Sequence, residues 1–303
     1  MNLVAPAVGA IATVALLTAP AADAKTKYTD IRVVTNTGET LADHRQYTDD
    51  VRVRTSVDAD CFGPSNPSTG DSYGLKDPNA LGALIDASKS DSDLKPLKIT
   101  DGFVDDGFGF GVCDIGGLET EGFAYWYSAV NGVGSTTGPD LIPVKNGDSN
   151  LWYLTTGDEP GFPSELVVKV PARVLAGDSF TAKVVRRLPD GTRQPAEGAD
   201  ISGFTTDENG EVELDIGEPG ETTLRATGES DDAPSAFTSI CVGEALSDCP
   251  KARGIVIFGS PGDDEIKGGK GPDLISCGKG KDIVREAQKS DNIAGNCEKV
   301  RRA

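Results

Sequence analysis

Four aspartates near the C-terminus recur at intervals of nine residues, and they are the side chains best suited to bind a metal ion. Aligned by nine, the segment reads GSPGDDEIK (259–267), GGKGPDLIS (268–276), CGKGKDIVR (277–285) and EAQKSDNIA (286–294). The aspartates in step are Asp264, Asp273, Asp282 and Asp291. Calcium takes about six to eight oxygen ligands, and glycines free backbone carbonyls to point at the ion. The pattern therefore predicts calcium binding in the loops of a repeating structure.

The same period places aliphatic residues in step, at Ile266, Ile275, Val284 and Ile293. This tandem pattern resembles the RTX, or haemolysin-type, calcium-binding repeat, Gly-Gly-x-Gly-x-Asp-x-aliphatic-x. The resemblance implies a short β-roll with the aliphatic side chains stacked inside and an ion between turns two repeats apart. The aspartates that would pair are Asp264 with Asp282 and Asp273 with Asp291. The glycines that would shape the loops are Gly259, Gly262, Gly268, Gly271, Gly278 and Gly280.

The local charge opposes calcium binding. Residues 259–303 contain eight acidic and nine basic residues, and four lysines, which would repel a divalent cation, lie in or beside the loops. They are Lys270, Lys279, Lys281 and Lys289. A bond between Cys277 and Cys297 is the alternative stabiliser of the last turns, worth about 3 kcal/mol for a loop of this length. From the sequence, either a metal ion or this disulfide could stabilise the segment.

A second motif could carry a nucleophile. Residues 70–74, GDSYG, match the Gly-x-Ser-x-Gly elbow that projects a serine from a strand-to-helix turn. No hydrophobic strand leads directly into it, and no histidine follows Ser72. The only histidine, His44, lies upstream between Asp43 and Arg45, where we expect it to be solvated. We therefore predict no catalytic residues and no organic cofactor, and a hydrolase is the least favoured alternative.

The first residues, MNLVAPAVGAIATVALLTAPAADA, predict a secretory signal peptide at 1–24. An apolar stretch from Val8 to Leu17 precedes Ala22-Asp23-Ala24, the small-x-small pattern of a cleavage site. A membrane anchor is the alternative, but the stretch is shorter than the roughly 20 apolar residues that span a bilayer. We therefore expect a secreted, extracellular protein with no membrane partner after cleavage.

Charge and cysteine content fit the same compartment. The formal net charge of −19 disfavours nucleic acid and anionic membranes as partners. The cysteines are even in number and favour disulfides over a metal site, because no Cys-x-x-Cys occurs. Local grouping suggests three bonds, one in each of three units: Cys61 with Cys113, Cys241 with Cys249, and Cys277 with Cys297.

The sequence of the first unit, residues 27–156, predicts strands and one helix. IRVVTNTGETL (31–41) and DDVRVRTSV (49–57) alternate as half-buried strands do, with a turn at Thr37-Gly38. In KDPNALGALIDASKSDSD (76–93), Asp77 can cap a helix and Pro78 fits its first position. Its apolar face comprises Leu81, Leu84 and Ile85.

Two aromatic segments follow that helix, GFAYWYSAVNG (122–132) and NGDSNLWYLT (146–155). Together with the helix they resemble the transcobalamin C-terminal-like domain of unknown function. In vitamin carriers that domain forms one wall of a cobalamin site, but the helical domain that completes the site has no counterpart in this sequence. A corrinoid-like small-ligand carrier is therefore the alternative function. We expect the aromatic residues Trp126, Tyr127, Trp152 and Tyr153 to be half core and half exposed rather than a ligand site.

The second unit, residues 164–242, has regularly spaced strands with turns at Asp190-Gly191, Asn209-Gly210 and Pro219-Gly220. Asn209-Gly210 predicts a two-residue hairpin turn, because both residues accept positive φ. PAEGADI (195–201), TTDENGEVEL (205–214) and PGETTLRAT (219–227) resemble a bacterial Ig-like or carboxypeptidase-regulatory-like domain. The resemblance implies a sandwich that acts as a spacer or adhesion module.

We thus predict a mainly β protein: an α+β N-terminal domain with one helix (27–156), an Ig-like β-sandwich (164–242) and a short C-terminal β-roll (254–303). We expect a monomeric, non-enzymatic binding or surface-associated protein. Its ligand would be extracellular or on a cell surface, and a structural Ca²⁺ ion would lie in the repeats.

Overall fold

The computed structural model describes residues 26–59, 61, 63, 65–120, 122–155, 162–229 and 232–303. The described chain is mainly β with a single α-helix, which confirms the predicted fold class. The predicted signal peptide at 1–24 lies outside the described residues.

The first unit is built on a sheet whose strands run in the order β9-β8-β10-β1-β2. β1 and β10 are parallel, and the other neighbours are antiparallel. The remaining strands form a β3–β4 hairpin and a β5-β6-β7 sheet. The strands are β1 (Lys27–Val34), β2 (Thr40–Thr48), β3 (Val51–Arg54), β4 (Ser72–Leu75), β5 (Leu97–Thr100), β6 (Gly111–Ile115), β7 (Leu118–Glu119), β8 (Trp126–Val130), β9 (Val133–Gly134) and β10 (Asp148–Leu154).

Helix α1 (Ala80–Ser90) packs its predicted apolar face, Leu81, Leu84 and Ile85, into the core. Its cap differs from the prediction. Asn79, not Asp77, is the N-cap, and its Oδ1 accepts the Gly82 N–H at 2.8 Å. Pro78 and Asn79 stay extended because they pair with 142–144, so the helix begins two residues later than expected. Asp77 has φ +65° and only turns the chain toward the helix.

The second unit contains three small sheets, in the orders β14-β13-β11-β20 with β17 also on β13, β12-β21-β18, and β16-β15-β19. All three contribute to one core, for example through Phe180, Ile201 and Ile240. The strands are β11 (Ser164–Lys169), β12 (Arg173–Leu175), β13 (Ser179–Arg187), β14 (Arg193–Pro195), β15 (Asp200–Ile201), β16 (Phe204–Thr205), β17 (Glu211–Asp215), β18 (Gly220–Leu224), β19 (Ala226–Thr227), β20 (Asp232–Ala233) and β21 (Thr238–Gly243).

The turns of this unit agree only in part with those predicted from the sequence. Asp190-Gly191 joins the antiparallel pair β13–β14, with Gly191 at φ +83°. The prediction of a two-residue hairpin turn at Asn209-Gly210 is wrong. Only Gly210 has positive φ, and β17 pairs with β13 instead of β16. The Asp207 carboxylate, which accepts the Asn209 N–H at 2.9 Å, holds a wider turn. Glycine is needed at 210 because a Cβ there would lie 2.4 Å from the Val184 carbonyl oxygen.

The C-terminal segment, residues 254–303, is a coil of two parallel sheets, β22-β24-β26 and β23-β25-β27. Consecutive strands alternate between the sheets, so that strands two repeats apart are neighbours. Of the residues that the nine-residue period predicted to stack inward, Ile266, Ile275 and Val284 are fully buried, whereas Ile293 in the last turn is only half-buried. Ile257, one repeat earlier, is also fully buried. The strands are β22 (Val256–Phe258), β23 (Glu265–Lys267), β24 (Leu274–Ser276), β25 (Ile283–Ala287), β26 (Asn292–Ile293) and β27 (Lys299–Arg302).

This coil begins one strand before the sequence repeat and joins the first unit. β22 runs parallel to β2, with Gln46 opposite Phe258, so one eight-stranded sheet crosses both. Tyr47 on β2 enters the core of the coil, and its hydroxyl accepts the Lys267 N–H at 3.2 Å. The coil is therefore packed on the first unit.

Candidate functional site

The repeat aspartates lie at the turns that precede the strands of the coil, and the predicted pairs do meet. The Asp264 N–H donates to Asp282 Oδ1 at 2.9 Å, and the Asp273 N–H donates to Asp291 Oδ1 at 3.1 Å. The carboxylates of Asp282 and Asp291 therefore cap the backbone of the turn two repeats earlier. Within each pair, the contact is a hydrogen bond from the backbone N–H of one aspartate to the carboxylate of the other.

The two pairs differ in the oxygens that they leave free. In the second pair every carboxylate oxygen has a backbone donor: Asp273 accepts from Ile255 and Gly269, and Asp291 accepts from Asp273 and Gln288. In the first pair, Asp282 Oδ2 is buried and has no partner among the described residues. The first pair alone therefore offers an unengaged oxygen to a cation.

The first pair is also electrostatically strained. Burial raises the pKa of Asp264 to about 7, against the opposing hydrogen bonds from Ser260, and the charges of Asp282 and Asp49 add to the rise. Burial likewise raises the pKa of Asp282. Within the described ranges, no three His, Cys, Asp or Glu side chains are grouped so as to hold a metal. Oxygens from backbone carbonyls or water would have to complete a calcium shell here.

Most of the loop glycines are required by the packing of one turn of the coil against another. A Cβ at Gly259 would lie 1.9 Å from the Cys277 carbonyl oxygen, and one at Gly278 would lie 2.3 Å from that of Ser260. Gly271 and Gly280 are equally close to backbone carbonyl oxygens. A Cβ at Gly262 would lie 2.5 Å from Asp49 Oδ2 of the first unit, and one at Gly268 would lie 3.0 Å from Asp273 Oδ2. Close approach of the backbone accounts for these glycines with or without an ion. The four loop lysines are exposed, so water screens their charge.

The three predicted disulfides are present in the structure. Cys61–Cys113 ties the segment after β3 to β6, Cys241–Cys249 closes a short loop at the end of β21, and Cys277–Cys297 spans the last turns of the coil. Every cysteine of the chain is accounted for by these pairs.

The serine and the histidine of the hydrolase alternative, Ser72 and His44, both lie within β-strands. Ser72 is exposed in the antiparallel strand β4, opposite Arg54, and not at a strand-to-helix turn. His44 was expected in solvent, but it is 7 % exposed because β22 covers it. Its ring packs edge-on against Phe258 at 4.7 Å, and burial lowers its pKa.

The aromatic residues of β8 and β10 are all buried, which corrects the expectation that half would be exposed. β8 lies between β10 and the two-residue strand β9, which covers only one end of β8. At the other end a cavity of about 420 Å³ opens beside Trp126 and Tyr127. Its aromatic walls include Phe108, Phe110, Trp126, Tyr127, Trp152 and Phe162.

The rim of this aromatic cavity is fixed by Asp140. Its Oδ1 accepts the Phe110 N–H at 2.8 Å, and burial raises its pKa. A Cβ at Gly109 or Gly138 would lie 2.4 or 2.5 Å from the same oxygen, so glycine at both positions lets the two loops close on the carboxylate. The Gly138 N–H also donates to the Phe108 carbonyl. From the sequence we expected Trp126, Tyr127, Trp152 and Tyr153 to be half core and half exposed rather than a ligand site. The repeated Gly and Phe of residues 107–111, GFGFG, were the available signal for the cavity.

Comparison with protein-family models, curated proteins and solved structures found no significant match to this chain. The resemblances drawn from short motifs therefore stay predictions. No helix in the described part of the chain is long and apolar enough to cross a membrane.

Proposed function

We propose that this chain is a secreted, non-enzymatic binding protein that takes up a small ligand in the aromatic cavity of its first unit. The observation that carries the proposal is the cavity itself, which is concave, walled by aromatic rings and bounded by a fixed rim. Small-molecule sites have this character, and their volumes start at about 300 Å³. A cavity of about 420 Å³ could enclose only part of a corrinoid, so we expect a smaller ligand.

Secretion is supported by the cysteine chemistry and by the predicted signal peptide. Three disulfides persist in oxidising compartments and are rare in the cytosol. In this proposal the second unit is a spacer, and the C-terminal coil braces the first unit through the β2–β22 pairing.

Calcium belongs to the proposal as a structural ion of the coil. Asp264 and Asp282 would hold it, because they supply a free carboxylate oxygen and a destabilised buried charge. The bound ion would supply positive charge that relieves the repulsion between the two carboxylates. Asp273 and Asp291 already serve as backbone caps and would keep that role.

The binding proposal is tested with a neutral dye that fluoresces in apolar sites, Nile red, and the full-length chain. Thr136 is exposed on the cavity lining, so Thr136→Trp fills the entrance without disturbing the core. Thr223 on β18 is also exposed and lies in the second unit, so Thr223→Trp is the matched control. We expect dye fluorescence with the unmodified protein and with Thr223→Trp, and its loss with Thr136→Trp. Equal fluorescence in all three would show that the cavity is not the binding site.

A further inference from the structure

The only histidine of the chain, His44, lies in the joint between the first unit and the C-terminal coil. Its side chain is largely buried, and its Nε2 has no partner among the described residues. Phe258 of β22 packs on the imidazole, with the two rings at 90° and their centroids 4.7 Å apart. A neutral imidazole fits this setting, whereas an imidazolium would bury a positive charge against an apolar ring.

The elements packed around His44 offer little to compensate such a charge. Side chains alternate along a strand, so His44 shares its face of β2 with Thr48, whose hydroxyl donates to Asp86 of helix α1 at 2.8 Å. The charged residues of the last turns and C-cap of α1 are Asp86, Lys89 and Asp91. Asp86 is already paired with Lys89 at 2.8 Å. On β1 the residue opposite His44 is Ile31, and β22 carries no charged residue.

The balance of these contacts favours the neutral form. Burial lowers the pKa of His44, and it outweighs the attraction of Asp91 and the contact with Gln46, which both act in the opposite direction. The imidazole is therefore harder to protonate in the packed joint than in water.

The joint itself is short. β2 and β22 share two residue pairs, Arg45 with Ile257 and Gln46 with Phe258. His44 directly precedes the first of these pairs, and its ring touches the residue of the second pair that belongs to the coil. A change of charge at His44 therefore acts on the strand that attaches the coil to the first unit.

We propose that His44 is a pH sensor in this joint: the neutral imidazole lets β22 pack on β2, and the imidazolium loosens the coil from the first unit. Because its pKa is lower in the packed state, the packed joint binds fewer protons than the open one. Packing is therefore fully supported above the ordinary histidine pKa, about 6.5, and weakens as the pH falls below it. This device is independent of ligand binding in the aromatic cavity.

Hydrogen exchange of the full-length chain, followed by mass spectrometry in calcium-free buffer, tests the joint. After correction for the pH dependence of the exchange reaction itself, β22 is expected to lose protection between pH 7 and pH 5. The loss should be about tenfold for each unit by which the pKa of His44 is lowered in the packed state. β13 (Ser179–Arg187), in the core of the second unit, is the internal control and should keep its protection.

Two variants isolate the charge. His44→Phe keeps a ring, His44→Gln keeps a polar group, and neither takes up a proton, so both should protect β22 equally at pH 7 and pH 5. Asp264, whose pKa burial raises to about 7, is present in every variant and responds to acid in the opposite direction. The difference between the unmodified protein and the variants therefore belongs to His44.

A second measurement needs no variant. Because His44 is the only histidine, one set of imidazole NMR signals reports its titration, and we expect it to titrate below pH 6.5 over the range in which β22 opens. The proposal is overturned if β22 stays protected at pH 5, whatever the pKa of His44. It is also overturned if β22 loses the same protection in His44→Phe and His44→Gln, since other groups would then carry the response.

Discussion

Arg32 and Glu165 form a buried ion pair between the first and second units, with Nη2 and Oε1 2.7 Å apart. Arg187 of the second unit contacts the other oxygen of Glu165 at 3.1 Å, and its Nη1 also donates to Ser149 Oγ of the first unit. A carboxylate bound on both sides by guanidinium groups fixes the two units relative to each other.

Glu165→Gln is expected to destabilise the protein by about 3–5 kcal/mol, because Arg32 would stay buried without the carboxylate that it contacts directly. The exposed pair Lys183–Glu211 provides the control, and Glu211→Gln should cost less than about 1 kcal/mol. Urea unfolding of the full chain measures both. Similar losses in the two variants would mean that the interface pair contributes no more than a surface contact.

The coil offers a matched pair of adjacent residues on β24. Ile275 is fully buried, whereas Leu274 is 46 % exposed. Ile275→Ala should lower the free energy of unfolding by about 2–5 kcal/mol through lost burial and an unfilled cavity. Leu274→Ala should cost much less, and thermal unfolding distinguishes them. Equal effects would contradict the inward stacking of the period-nine residues.

Acid stability is expected to depend on Asp101. Burial alone would raise its pKa, but hydrogen bonds from Thr69 and Tyr73 outweigh it and lower the pKa to about 2. A folded-state pKa below the unfolded value stabilises the fold above about pH 4, and this contribution is lost as the pH falls toward 2. Asp101→Asn should therefore be less stable at neutral pH and should show a shallower loss between pH 4 and 2. An unchanged acid profile in unfolding experiments would contradict this role.

Calcium should raise the melting temperature of the reduced full-length chain, and a chelator should reverse the change. Binding to the folded state alone stabilises it by mass action. The increase should disappear in Asp282→Ala and persist in Asp291→Ala, since only the first pair has a free oxygen. If calcium changes nothing in the reduced protein, the aspartates act only as backbone caps and Cys277–Cys297 is the stabiliser of the coil.

The features predicted correctly from the sequence are those encoded locally. The nine-residue period gives the inward stack of Ile266, Ile275 and Val284, because the strand alternates its side chains within each repeat. The disulfides follow from cysteines that lie within the same unit.

The features missed depend on contacts between distant segments. The N-cap of α1 is Asn79 instead of Asp77, because residues 142–144 pair with Pro78 and Asn79 and hold them extended. His44 is buried because β22 packs beside β2. The aromatic cavity depends on where β9 stops along β8, which no local pattern reports.

The junction of β2 with β22 changes which strand ends the sheet. Without the coil, the nine-residue strand β2 would present open backbone groups on which another chain could add a strand. With the coil, β26 takes that position, and it has two residues. The repeats therefore replace a nine-residue open edge by a two-residue one. β22 follows β2 by more than two hundred residues, so this edge can be covered only after most of the chain has been made.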